Sequence, residues 1–269
     1  MFEDVSFAYP EGPLVLHNVN LQVRWGDLIA VLGPNGAGKS TLVKHAIGLL
    51  KPTHGRVLVQ GKDTRSLSVA QIAHTLGYAF QSPAHMLFAP TVRDELAFGP
   101  GNLEFAPPAV EAAVTEAVAA LNLQGLESYS PLALSFGQQK RTTIASVLAM
   151  HSRILILDEP TAGQDYANYT RFMETLCSAV GPGAPFLTSR FDATLFITHD
   201  LDLAIGYANR VILLGEGRIV ADGPPQEALH DLALLERYRV VPTTLLQTNL
   251  EYLPRTGRFL RAEYLASIV

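Results

Sequence analysis

Apolar positions along the chain follow two patterns. Short continuous apolar runs, closed by Gly, Pro or Asp, occupy the first third and the part after residue 150. Residues 27–32 form such a run and end at Gly33, which predicts a buried strand. Residues 154–157 and 193–197 read the same way, as parallel strands covered on both faces do. Residues 41–50 predict a helix, 52–55 a turn, and 56–60 alternate as a strand would. The middle differs. Pro107-Pro108 opens a segment with apolar residues at Val110, Ala113, Val114, Ala117, Val118 and Leu121. That is the stripe of an amphipathic helix, with Pro in its first turn and Gly125 beyond its end. Thr91, with Asp94 three residues on, predicts an N-cap for a shorter helix, 92–98, stopped by Gly99-Pro100. A further helix is expected over 139–150. Residues 82–150 therefore read as mainly helical, inserted into a strand–helix alternation that implies an α/β sheet. No internal repeat or low-complexity tract occurs.

Composition narrows the class. Of 269 residues, 48% are hydrophobic and only 17% charged, against a usual charged share of about 25%. Apolar content this high, with a net charge of -5, excludes disorder. Cys177 is the single cysteine, which excludes a disulfide scaffold and a four-cysteine zinc site. The start, Met1-Phe2-Glu3-Asp4, lacks a basic n-region, so no signal peptide is expected. The longest stretch free of Asp, Glu, Lys and Arg, 66–92, is broken by Gln71, His74, Gln81, Pro83, His85 and Pro90 and predicts no membrane span. The acidic balance argues against a nucleic-acid partner. A cytoplasmic globular protein with an apolar partner is expected.

Three motifs carry chemistry. Gly33-Pro34-Asn35-Gly36-Ala37-Gly38-Lys39-Ser40-Thr41 fits a phosphate-binding loop between a predicted strand and a predicted helix. Its glycines let backbone N–H groups point into one concavity, and the helix N-terminus adds partial positive charge. Lys39 would reach the β- and γ-phosphates and Ser40 would bind Mg²⁺. The apolar strand 154–157 runs into Asp158 and Glu159. Asp158 could hold Mg²⁺ through water, and Glu159 could orient or deprotonate an attacking water. Leu134-Ser135-Phe136-Gly137-Gln138 precedes the helix expected over 139–150.

Together these motifs, in this order, resemble the ATP-binding cassette (ABC) family over roughly residues 2–225. The third is one residue from that family's Leu-Ser-Gly-Gly-Gln signature. The resemblance implies an α/β fold of the phosphate-loop NTPase type, with an inserted helical subdomain and an antiparallel β subdomain. It places the nucleotide-binding core in 1–81 and 151–225, the helical signature subdomain in 82–150, and a C-terminal extension in 226–269, expected to contribute dimer contacts. It implies ATP and Mg²⁺ as cofactors. Tyr9 matches the aromatic that stacks on adenine; Asn35, Gly36, Ala37, Gly38, Lys39, Ser40 and Thr41 match the nucleotide-binding loop. Gln81 matches the glutamine that contacts Mg²⁺, beside Ser40 and Asp158. Glu159 and His199 match the catalytic pair, and Ser135, Phe136, Gly137 and Gln138 the signature that closes over the partner's ATP. Residues 162–165, Ala-Gly-Gln-Asp, match the loop that crosses to a second cassette, with Asp165 as its contact.

Residues 81–92, together with Glu95-Leu96-Ala97-Phe98-Gly99-Pro100, look like cassettes of energy-coupling-factor (ECF) transporters, which import vitamins or nickel and cobalt ions. That likeness implies a second ATPase subunit, identical or not. It also implies an integral membrane scaffold, a substrate-binding membrane subunit, and a peripheral place at the cytoplasmic face of the membrane. The membrane partner is expected in an apolar groove drawn from 66–92 and bordered by Asp94 and Glu95. Residues 257–264 look similar to that group's C-terminal extension, with an amphipathic surface element as the alternative. Three departures stand out. Phe136 replaces a glycine, which tolerates φ > 0 and close approach where Phe does neither without cost. Gln164 stands where an apolar residue is common. Ala84 and His85 replace acidic residues usual after the glutamine; His85 and Met86 alone do not make a metal site. Met1 falls inside the expected first strand, as in a fragment or half of a fused double cassette. The other readings are a conventional ABC transporter ATPase, a soluble non-transport cassette ATPase and a phosphate-loop kinase. About 100 residues separate the phosphate loop from the signature, too few for the long arms of soluble cassette ATPases.

Overall fold

The computed structural model describes residues 1–163, 165–177 and 191–268, except the side chains of Tyr166, Thr175 and Cys177. The departure at Gln164 lies outside the described residues. The chain forms two compact units, Met1–Ser68 with the segment from Leu195 onward, and Val69–Thr194. The first unit opens with β1 (Phe2–Ala8), β2 (Leu14–Leu21), β3 (Leu28–Leu32), α1 (Lys39–Ala46), β4 (His54–Val59) and β5 (Lys62–Asp63). The second holds α2 (Val69–Ala73), β6 (Leu76–Ala79), α3 (Val92–Asn102), α4 (Pro107–Ala120), α5 (Phe136–Ala149), β7 (Ile154–Asp158) and α6 (Tyr166–Cys177). β8 (Ala193–Ile197) returns the chain to the first unit. That unit continues with α7 (Leu201–Tyr207), β9 (Arg210–Gly215), β10 (Arg218–Gly223), α8 (Pro225–Ala228), α9 (Leu232–Arg237), α10 (Thr244–Thr256) and α11 (Ala262–Leu265).

In the first unit an antiparallel sheet runs β2-β1-β4-β5. Phe2, Val5 and Phe7 stand opposite Leu21, Val19 and Leu16, and all six are buried. His54 already pairs with Ser6, so β4 takes in residues expected to form the preceding turn. β3 pairs in parallel with β9, Ile29 opposite Arg210 through Leu32 opposite Leu213, and β10 returns antiparallel beside β9. All five β3 residues are buried, which is why that strand reads as an unbroken apolar run. The polypeptide after α9 folds back onto this unit. Asn249 is buried; its amide donates to the carbonyls of Leu245 and Leu260 and accepts from the Leu260 N–H. Arg261 lies 4.1 Å over the Tyr207 ring and donates to the Gly206 carbonyl at 2.6 Å.

In the second unit α3, α4 and α5 pack together, and β6 pairs in parallel with β7, Leu76 opposite Ile154 through Ala79 opposite Leu157. Thr91 caps α3 as expected, its Oγ1 accepting from the Asp94 N–H at 3.1 Å. The expected stop at Gly99-Pro100 is wrong, because α3 continues to Asn102 with Pro100 inside it. Proline forfeits one helical hydrogen bond, but Val92, Leu96 and Pro100 share one buried face, and that burial outweighs the loss. α5 also starts before the expected residue 139. Ser135 caps it at Phe136 through a reciprocal capping box with Gln138.

Glu95, expected at the border of a groove, is instead buried. It is 4% exposed, and its Oε2 accepts from the N–H groups of Phe88 and Ala89 at 2.9 and 2.8 Å. It clamps the loop that leads into α3. Glu95→Ala leaves two N–H groups without their acceptor, an expected loss of about 2 kcal/mol, seen as a lowered urea midpoint. Glu95→Gln, which keeps an acceptor oxygen, is expected to lose less; equal midpoints for Ala and wild type would contradict the clamp.

Candidate functional site

The phosphate-loop residues join β3 to α1 in the first unit. Gly33 has φ +144°, and a Cβ there would lie 2.2 Å from the Leu214 carbonyl oxygen; only glycine lets the chain turn so close to β9. Gly38, at φ +100°, is the N-cap of α1. It offers no side-chain cap, and the first turn holds no acidic residue. The first turn of α1, where the helix dipole is positive, thus carries no carboxylate to compete with an anion. The Lys39 ammonium donates to the carbonyls of Gly33 and Pro34 at 2.6 and 3.0 Å, which keeps its charge at the loop. Asn35, Gly36 and Ser40 are exposed, whereas Ala37, Gly38 and Thr41 are buried.

Two further expected residues lie in the same unit. Tyr9 follows β1, is 40% exposed, and brings its hydroxyl to 3.4 Å from Thr41 Oγ1. The ring stands edge-on to Phe7, centroids 4.9 Å apart, and so flanks the first turn of α1 while staying open to a planar ligand. His199 follows β8 and is exposed. The neighbouring Thr198 N–H donates to the Val31 carbonyl at 3.2 Å, which sets His199 at the end of β3 where the phosphate loop begins. Asp200 then caps α7, accepting from the N–H groups of Asp202 and Leu203.

In the second unit Asp158 and Glu159 end β7 and are 6% and 8% exposed. Glu159 has φ +47°, a left-handed conformation that is costly for a residue with a Cβ. Tyr78, on β6, donates its hydroxyl to Asp158 Oδ2 at 2.9 Å. Burial, reinforced by the Asp158 charge and this hydrogen bond, pushes the Tyr78 phenol well above its ordinary range, so it remains a donor. Lys140, on α5, is fully buried and donates to the carbonyls of Phe80 and Gln81, both at 2.9 Å, and of Asp158 at 2.7 Å. Burial lowers its pKa to about 8, opposed by the charges of Asp158 and Glu159. The Gln81 side chain is exposed just beyond β6.

The signature residues open α5. Ser135 and Gln138 engage each other in the capping box. Phe136 takes an ordinary helical backbone and is absent from the positive-φ residues, so the expected backbone cost there does not arise. Its ring instead lies against Gly163, φ +70°, where a Cβ would stand 2.2 Å from Phe136 Cδ1. The close approach is thus met by the glycine at position 163. Asp165 caps α6, accepting from the backbone and side-chain N–H groups of Asn168 at 2.8 and 2.6 Å. These bonds, the backbone one first, hold its carboxyl below the usual range.

Neither Tyr78 nor Lys140 belongs to the motifs of the sequence. Lys140 left a signal, because it stands four and seven residues before Ile144 and Val147 on the buried face of α5. A lysine on an apolar stripe needs acceptors inside the fold. Tyr78 left none, since an aromatic on a strand is ordinary core.

The ABC transporter family profile matches residues 16–162. The energy-coupling factor transporter ATP-binding protein EcfA of Methanocaldococcus jannaschii is 40% identical over 237 residues, 87% of this chain and 82% of that protein. EcfA of Methanococcus maripaludis is 40% identical over 230 residues, 85% of this chain and 80% of that one. Among solved structures, cbiO1 from Clostridium perfringens, part of the ABC transporter complex cbiONQ, is 30% identical with a TM-score of 0.73, covering 95% of this chain and 96% of that one. A dimeric ATP-binding cassette in a post-hydrolysis state with ADP and Pi shares the fold, with a TM-score of 0.72 at 24% identity over 83% of this chain and 97% of that one.

Proposed function

The chain belongs to the ABC transporter family, and on that footing we propose that it is the ATPase subunit of an ECF-type importer. The proposed cargo is a vitamin or a transition-metal ion, and the proposed place is the cytoplasmic face of the membrane. The observation that carries this reading is the match to EcfA, which runs along 82% of that relative at 40% identity. No helix among the described residues is long and apolar enough to cross a membrane, which agrees with a peripheral subunit held by integral partners.

The protein binds ATP with Mg²⁺ and hydrolyses it. Bound Mg²⁺ supplies positive charge to the phosphate oxygens. In this reading the Ser40 hydroxyl and the Gln81 side chain would hold it, with the Asp158 carboxylate acting through water, all oxygen donors of the kind Mg²⁺ takes. Residues 35–41 hold the phosphates through backbone N–H groups and the Lys39 ammonium, and Tyr9 stacks on the base. Glu159 takes the proton of the attacking water, and His199 donates to the γ-phosphate. Ser135, Phe136, Gly137 and Gln138 face the nucleotide of a second cassette, and Asp165 meets that cassette's loop. Phe88 and Phe98, exposed and packed edge-to-face with centroids 4.7 Å apart, offer an apolar face for the membrane scaffold.

Isolation of the tagged chain from detergent-solubilised membranes tests this. A second cassette, identical or different, is expected with it, as are an integral scaffold and a small membrane protein that selects the substrate. Hydrogen exchange across 78–98 is expected to slow when the scaffold is present. A chain found only in the soluble fraction, or exchange there that the scaffold leaves unchanged, would count against the proposal.

A further inference from the structure

Lys140 belongs to no motif in the sequence, yet it touches two of them. Its ammonium has three N–H donors, and three backbone carbonyls receive them. Two, Phe80 and Gln81, lie just past the end of β6; the third, Asp158, ends β7. β6 and β7 are parallel neighbours in register, Ala79 opposite Leu157. The ammonium therefore bridges the end of β7 and the residues just past the end of β6. It is carried there by α5, whose N-cap is the signature serine, Ser135. One buried charge thus links the signature helix, the glutamine loop and the acid pair.

The Asp158 carbonyl is the important acceptor. It belongs to the peptide plane that joins Asp158 to Glu159, so holding its direction constrains one side of the rotation that defines φ of Glu159. That φ is +47°, and a strained backbone persists only where its surroundings over-determine it. A charge-assisted hydrogen bond of 2.7 Å from a fully buried donor is such a determinant.

We propose that Lys140 is a positioning residue for hydrolysis: it holds the peptide that presents Glu159, and the Gln81 loop beside it, in their working geometry. Fully buried and bonded only to backbone carbonyls in the contacts above, it acts through Glu159 and Gln81. The inference rests on the assignment of Glu159 as general base. It differs from a packing role, because an apolar side chain of equal length would fill the same space.

The test uses the full chain in its cassette dimer with Lys140→Met and Lys140→Gln, beside Glu159→Gln. For Lys140→Met we expect kcat to fall about tenfold or more, as when a group that aligns a catalytic residue is lost, with KM for ATP within about threefold. Amide exchange at residues 81–82 and 159 is expected to quicken, with α3 and α4 as protected as in wild type. Lys140→Gln, which keeps two N–H donors, is expected to recover part of kcat. A Met variant with kcat within about twofold of wild type would overturn the proposal, as would unchanged exchange at 81–82 and 159. If Met does not fold, the Gln variant decides on the same readings. Retained turnover in Glu159→Gln would refute the base assignment instead, and the exchange readings would still report on the clamp.

Discussion

Glu159→Gln is expected to lower ATP turnover at least about 100-fold while ATP still binds. The substitution keeps the shape of the side chain and removes its ability to take a proton. Little else should change. Glu159 is 8% exposed at the end of β7, its backbone is already left-handed, and glutamine fits the same space. Positioning and charge neutralisation by the phosphate loop remain, so binding survives while the step that consumes water slows. A hundredfold loss corresponds to about 2.7 kcal/mol in the barrier, within the range of a lost general base. The check is steady-state phosphate release beside equilibrium binding of ATP to the same preparation. Turnover within about tenfold of wild type would mean that another group takes the proton. Trapped ATP should also prolong association with a second cassette.

Lys39→Ala is expected to weaken ATP binding about 100-fold. The Lys39 ammonium donates to the carbonyls of Gly33 and Pro34, so its charge stands at the same loop that is expected to hold the phosphates. Its removal takes a full positive charge from a place where phosphate charge must be met, and the helix dipole supplies only a fraction of one. Turnover falls with binding, which separates this variant from Glu159→Gln, where binding persists. Titration calorimetry with MgATP decides it. A dissociation constant raised less than tenfold would show that the backbone N–H groups carry the phosphates alone.

The parts of the fold that were legible in the sequence are those whose cause is local. β3 and β8 are continuous apolar runs because both faces are covered, and periodicity reports coverage directly. The N-cap at Thr91 and the phosphate loop are legible because a few adjacent residues specify the backbone. The sequence predicts the helix over 92–102 too short, because a Gly-Pro pair is a strong local stop and only packing shows that Pro100 is buried. Nothing in the sequence near Glu95, expected at a groove's border, announces the two N–H groups from which it accepts. A backbone cost is expected at Phe136 from its residue type, whereas its backbone is ordinary and the accommodation is made at Gly163, 27 positions later.

By itself, then, the sequence determined the phosphate loop, the acid pair, the signature and the family they resemble, since each is a short run whose chemistry follows from residue type and spacing. The tertiary structure alone decided what orients those groups. Tyr78 meets Asp158 across 80 residues, and Lys140 meets Phe80 across 60 and Asp158 across 18. Such contacts depend on which strand ends lie side by side and on where a helix crosses them. A buried charge or hydroxyl finds its partners only after the apolar faces have packed and the sheet has set its register.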